Sequence, residues 1–82
     1  APQTEMQKSQ IEGLALIDAL VTTQLCSSKG NARKDLEAGG VYVNGERVSD
    51  VNAKLSSSNC LHGKFIVLRK GKKNYHLICL NH

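Results

Sequence analysis

Four cations and a glycine fill the stretch Arg69, Lys70, Gly71, Lys72 and Lys73, and Asn74 follows before the chain turns apolar. Lysine ammonium groups on a glycine-containing turn can follow phosphates in several registers, and an arginine can add a bidentate phosphate contact or stack on a base. A second cluster, Lys29, Arg33 and Lys34, precedes Asp35 and Glu37. If this segment is a helix, its charges run against the helix dipole, which favours anions at the start and cations at the end. An arriving phosphate explains that order. It would meet free N–H groups at the helix start, close backbone approach at Gly30, and Lys29 with Arg33 one turn on. A solvated basic helix and a cationic tip that only discourages edge pairing are the plainer readings. Both clusters together make about five to seven phosphate contacts, enough for steep salt dependence.

Other chemistries find less support. Cys60 and His62, or His76, Cys79 and His82, lack the matched pair spacings of a zinc site, and Cys79 falls in an apolar run. No base or oxyanion hole accompanies any serine or cysteine, and Gly39 and Gly40 precede a strand pattern, not the helix a phosphate loop needs. The reading therefore includes no catalytic residue, no metal and no cofactor. Tyr42, Phe65 and Tyr75 sit in strand patterns. They are assigned to the core, with Tyr75 beside His76 as the best candidate for base stacking.

The elements that position these residues can be read in order. Residues 1–10 are polar, hold the only proline, and read as a flexible linker, leaving 11–82 as one RNA-binding domain. Ile11, Leu14, Ile17, Leu20, Val21 and Leu25 fall at helical spacing and predict a core-facing helix of about three turns. Ser28 is the expected N-cap of a second helix, Lys29 to Ala38, which ends at Gly39 and Gly40. "VYVNGERV" predicts a hairpin turning at Asn44 and Gly45, because a type I′ turn needs positive φ at both positions. Residues 49–63 read as a loop with one short strand. "KFIVL" and "NYHLICL" then form a second hairpin around a five-residue loop, Arg69 to Lys73. The fold class is α+β, two helices packed on a small, mostly antiparallel sheet.

The net charge of +4 is unevenly distributed, with residues 64–82 holding five cations and no acid. Such a one-sided field suits an anionic polymer. Three cysteines at no framework spacing indicate a reducing compartment, and no apolar run is long enough to span a bilayer. Because the chain starts without Met, it is expected to be a piece of a longer protein.

"SSKGNARKDLEAGGVYVNGERVSD", residues 27–50, resembles the small RNA-binding module named after the fourth protein of the small ribosomal subunit. "GKFIVLRKGKKNYHLICL", residues 63–80, is similar to the closing hairpin of bacterial-type tyrosyl-tRNA synthetases, which end in this module. The resemblance covers about residues 11–80. It implies a tRNA-binding appendage without catalytic activity, specific for tyrosine tRNA through the variable arm and the anticodon side. It also implies a covalently attached catalytic domain that makes tyrosyl-adenylate, a monomeric isolated domain, and the cytoplasm, or alternatively the mitochondrial matrix. Carried over by position, Ser28, Lys29, Arg33 and Lys34 match the basic second helix, Asn44 and Gly45 the turn, and Arg69, Lys70, Lys72, Lys73 and Asn74 the basic hairpin. Gly30 and Asn31 stand where related modules often have larger or basic residues, which moves weight to the hairpin, and Lys70 stands where Arg is frequent. Two alternatives stay open: the same module in a ribosome-associated or RNA-modifying protein, and a protein-interaction domain whose basic loop meets an acidic partner.

Overall fold

A computed structural model describes residues 3–81. The chain forms β1 (Gln3–Gln7), α1 (Lys8–Ile11), α2 (Leu16–Thr22), α3 (Lys29–Glu37), β2 (Val41–Val43), β3 (Glu46–Val48), a 3-10 turn (Ser57–Asn59), β4 (Phe65–Lys70) and β5 (Asn74–Asn81). The five strands make one sheet in the order β1-β5-β4-β2-β3, parallel only between β1 and β5. The helices cover one face. The α+β class and the mostly antiparallel sheet are as the sequence predicts.

Two predicted elements change. Residues 3–10, expected as linker, instead supply β1 and the start of α1. Polar composition hid this strand because only Met6 is buried among its residues, and most of its side chains lie at the sheet surface. Thr4 adds a tether, its Oγ1 lying 2.6 Å from Nε2 of the buried His76. The expected three-turn helix is the second change: its residues divide between α1 and the seven-residue α2. Between them the backbone turns outward to pair with residues 53–55. Gly13 N–H donates to Leu55 C=O, Leu55 N–H to Leu14 C=O, and Leu16 N–H to Ala53 C=O. Gly13 takes φ +76, which ends the helical path at low steric cost. The apolar spacing survives the break because Ile11, Leu16, Ala19 and Leu20 all still reach the core.

The core is aliphatic. Leu16, Leu20 and Leu36 from the helices meet Val41, Ile66, Leu68 and Ile78 from the sheet, all essentially inaccessible. Alternation along the strands then fixes the other face. Tyr42, Phe65, Val67, Arg69, Tyr75, Leu77 and Cys79 point away from the helices, opposite the buried positions. The aromatic residues are thus corrected from core to outer sheet surface. The same alternation aligns four side chains across neighbouring strands, because Tyr42 pairs with both Arg47 and Arg69, and Arg69 with Tyr75.

His76 gives this fold a pH dependence. Burial pushes its pKa below the ordinary histidine value of about 6.5. In the window between that value and the lower folded one, the unfolded chain binds more protons, so stability falls as pH drops through it. Glu12 acts lower: the Ser57 N–H it accepts holds its carboxyl below the usual range, so its contribution is lost only as the carboxylate itself protonates. The melting temperature is expected to be lower at about pH 5 than at about pH 7.5. His76→Gln, which gains no proton there, should flatten the difference in a calorimetric scan; an unchanged slope contradicts the assignment.

Candidate nucleic-acid interface

The second helix begins as its sequence predicts. Ser28 is the N-cap and its Oγ accepts from Asn31 N–H at 3.2 Å, a contact of the kind whose loss costs about 0.5–2 kcal/mol. At the far end Gly39 takes φ +75, and Arg47 lies over it. Along the helix, Ala32 and Leu36 face the core, while Lys29, Arg33 and Lys34 are exposed. Lys29 has a partner, with its Nζ 3.3 Å from Asp18 Oδ1. That acid offsets part of the unfavourable dipole arrangement read from the sequence.

The hairpin tip is tighter than expected. Lys70 pairs with Asn74, so only Gly71, Lys72 and Lys73 form the turn, and Arg69 and Lys70 belong to β4. Gly71 adopts φ +70 and its N–H donates to Gly40 C=O at 2.8 Å. Lys70 Nζ lies 3.4 Å from Asp35 Oδ2 on α3. These two contacts fix the tip against the C-terminal half of α3. Lys72, Lys73 and Asn74 are exposed, and neither lysine makes an ion pair among the described residues.

Arg69 is engaged inside the sheet surface. Its guanidinium carbon sits 3.8 Å from the Tyr42 ring centroid and 6.0 Å from that of Tyr75. Its Nε is buried without a hydrogen-bond partner, and the guanidinium is held between the two tyrosine side chains. Arg69 thus presents a guanidinium on the outer sheet face and not at a mobile tip. Asn44 is similarly occupied. Its Nδ2 donates to Asn59 C=O at 2.6 Å and its Oδ1 accepts from Val67 N–H at 2.9 Å. With Asn44 at φ 53 and Gly45 at φ 85, the predicted I′ turn is present, and the Asn44 amide ties it to β4 and the 3-10 turn.

The predicted site residues therefore fall into groups. Lys70, Lys72, Lys73 and Asn74 gather at the tip, next to the Asp35 flank of α3. Arg33 leaves α3 about 160° around the axis from Asp35, and Ser28 with Lys29 lies most of a helix length away, about 9–10 Å. Lys34 points outward between the two flanks. The cations thus lie on two opposite flanks of α3, with Lys34 between them, and do not meet at one point. Sequence reasoning missed Arg47 and assigned Tyr42 to the core; the two continue the Arg69–Tyr75 row across the sheet. Strict alternation around the buried Val41 and Val43 could have placed Tyr42 on the outer face.

Residues 1–78 match the family described as Tyrosine--tRNA ligase SYY-like C-terminal domain. The chain belongs to this family. It is 41% identical over 81 residues to the tyrosine–tRNA ligase of Roseiflexus castenholzii, covering 96% of this chain and 19% of that protein. The corresponding ligase of Bacillus velezensis is 44% identical over 72 residues, 88% of this chain and 17% of the relative. That of Geobacillus kaustophilus is 48% identical over 63 residues, 77% and 15%. The chain thus spans less than a fifth of the length of these ligases. It corresponds to their C-terminal domain and not to their catalytic part. The match also takes in residues 1–10, of which Gln3–Gln7 form β1 of the domain's sheet.

Among the described residues no group of three or more His, Cys, Asp or Glu could hold a metal ion. Cys26, the buried thiol of this ligase-type domain, is held unreactive. Burial pushes its pKa up to about 11, helped by its hydrogen bond to Asp35 Oδ2 at 3.4 Å and the charge of that carboxylate, with Lys70 opposing. A shift of that size lowers the thiolate fraction on the order of 100-fold near neutral pH. Alkylation followed by mass spectrometry should find Cys26 modified at a rate set by unfolding; modification as fast as in the unfolded chain contradicts this environment.

Proposed function

We propose that this chain is the tRNA-binding appendage of a tyrosine–tRNA ligase, holding tRNA by its phosphates while an attached catalytic domain carries out aminoacylation. The observation that supports this most is the hairpin tip. Lys72 and Lys73 project on a turn fixed to α3 by the Lys70–Asp35 ion pair and the Gly71–Gly40 hydrogen bond. Flexible cations on a fixed support lose less conformational freedom on binding than cations on a loose loop. Lys34 on the outer side of α3 bridges the tip to Arg33 and the Ser28-capped helix start on the opposite flank. Asn74 adds a neutral amide beside the tip.

The tip is the part that reaches the variable arm, and tyrosine tRNA is the ligand, in the cytoplasm where charging takes place. The appendage acts through tethering. A second contact on the same tRNA operates at high effective concentration, so modest affinity here raises the affinity of the whole enzyme.

Binding of tyrosine tRNA and of a generic RNA hairpin should be measured at two salt concentrations. Affinity for the tRNA is expected to fall on the order of 10- to 100-fold between about 50 and 200 mM salt, as about three or four phosphate contacts require. The tRNA should also bind more tightly than the hairpin at both. Equal affinity for the two RNAs would remove the ligase reading and favour a general RNA-binding module.

A further inference from the structure

The helices cover one face of the sheet and leave the other open. On that outer face one side chain from each of four neighbouring strands falls into a row: Tyr75 of β5, Arg69 of β4, Tyr42 of β2 and Arg47 of β3. Strands stand about 4.8 Å apart, so the row runs for roughly 14 Å. It lies one residue pair in from the hairpin tip, since the Arg69–Tyr75 pair adjoins the Lys70–Asn74 pair. Lys72 and Lys73 therefore stand where the outer face meets the α3 side.

Rings and cations alternate along the row, and neither arginine forms an ion pair among the described residues. Arg47 is exposed and Arg69 half-buried. Glu46, next to Arg47, pairs with the buried Val43 and so points to the opposite face. Glu5 shares the outer face but stands opposite Cys79, four residues along β5 from Tyr75. The row is thus complementary to an anion. Tyr75 adds a flat partner, because at 42% exposure it is one of two large apolar side chains left open among the described residues. The Arg69 guanidinium lies nearer Tyr42, at 3.8 Å against 6.0 Å from Tyr75, which leaves the Tyr75 ring the less occupied of the two.

Cations alternating with rings match a strand that carries phosphates and unstacked bases, and sheets that present aromatics on an open face hold single-stranded RNA in this way. An acidic peptide would meet the arginines and leave the ring uncovered. A duplex offers phosphates but no open base face.

We propose that the outer sheet face is a second RNA contact, taking a single-stranded segment whose phosphates meet Arg47 and Arg69 and one of whose bases stacks on Tyr75. The inference rests on the RNA-binding reading above and deepens it. Paired RNA is held at the tip and α3, and an unpaired segment leaving it continues over the tip onto the sheet.

The test uses two RNA hairpins with the same stem, one blunt and one with a short single-stranded overhang. The 82-residue chain should bind the second about 5- to 100-fold more tightly, the range of one base–aromatic stack. Its salt slope should also be steeper, by about 0.7 for each arginine that meets a single-strand phosphate. Tyr75→Ala should remove most of the preference while binding the blunt hairpin as wild type does, and Tyr75→Phe should retain it. Arg47→Gln should lower the salt slope for the overhang RNA alone. Equal wild-type affinity for the two RNAs overturns the sheet-face contact but leaves the tRNA reading standing. A preference that survives Tyr75→Ala combined with Arg47→Gln overturns it as well, as does loss of affinity for both RNAs in Tyr75→Ala, which would give the ring a general structural role. An oligoglutamate peptide that displaced the overhang RNA as readily as a free copy of the overhang would assign the face to an acidic protein instead. Failure of the wild-type chain to bind either RNA removes the reading beneath it.

Discussion

Reversing both tip lysines, Lys72→Glu with Lys73→Glu, is expected to weaken tRNA binding by on the order of 100-fold at about 0.1 M salt. Two favourable phosphate contacts vanish and two repulsive ones replace them. The slope of log affinity against log salt should become shallower by about two, because fewer counterions are released on binding. Stability should hardly change. Both side chains are exposed, neither has an ion-pair partner among the described residues, and Lys70 keeps its bond to Asp35. The expected signature is therefore a large binding loss with an unchanged melting temperature. If RNA binding survived the reversal, the basic tip would be free for an acidic protein partner, and that reading would replace this one.

Asn44→Ala is expected to do the opposite, lowering stability by about 2–4 kcal/mol with little effect on the salt slope. Three costs add. The Val67 N–H and the Asn59 C=O both lose their partner, and alanine must adopt the left-handed φ that asparagine tolerates. In a domain of this size the melting temperature should fall by about 10–25 °C. Asn44→Gly separates the terms, because glycine keeps the turn but not the hydrogen bonds and should fall between wild type and alanine. An Asn44→Ala variant with normal stability and weakened RNA binding would restore the direct RNA contact read from the sequence.

The contrast between these variants shows what local sequence can and cannot convey. Ser28, the short basic helix, the Asn44–Gly45 turn and both hairpins were legible because each rests on a rule about neighbouring residues. β1 was not. A polar strand at the sheet edge has no composition signal, and its parallel pairing with β5 joins residues more than seventy positions apart. The broken first helix was hidden for a similar reason: residues 53–55 take the backbone hydrogen bonds that a continuous helix would have used.

Site residues divide along the same line. That Lys72 and Lys73 stand exposed at a turn follows from their own segment. That Lys70 is bound to Asp35, Lys29 to Asp18 and Arg69 to Tyr42 depends on the three-dimensional fold. The charge count overstated the freely available cations at the tip, while Arg47 went unnoticed and Tyr42 was assigned to the core, because their shared row appears only in cross-strand register. For Tyr42 the neighbouring valines concealed the alternation, since all three residues of β2 are apolar.

The proposed function stands on tRNA meeting both α3 and the hairpin tip. Titrating the isotope-labelled chain with tyrosine tRNA and following its backbone amide resonances tests it residue by residue. The largest changes are expected at Arg33, Lys34 and Gly71 to Asn74, fading as salt is raised. Changes centred instead on residues 53–61, across the domain at the β2–β3 hairpin, with a silent tip, would contradict it.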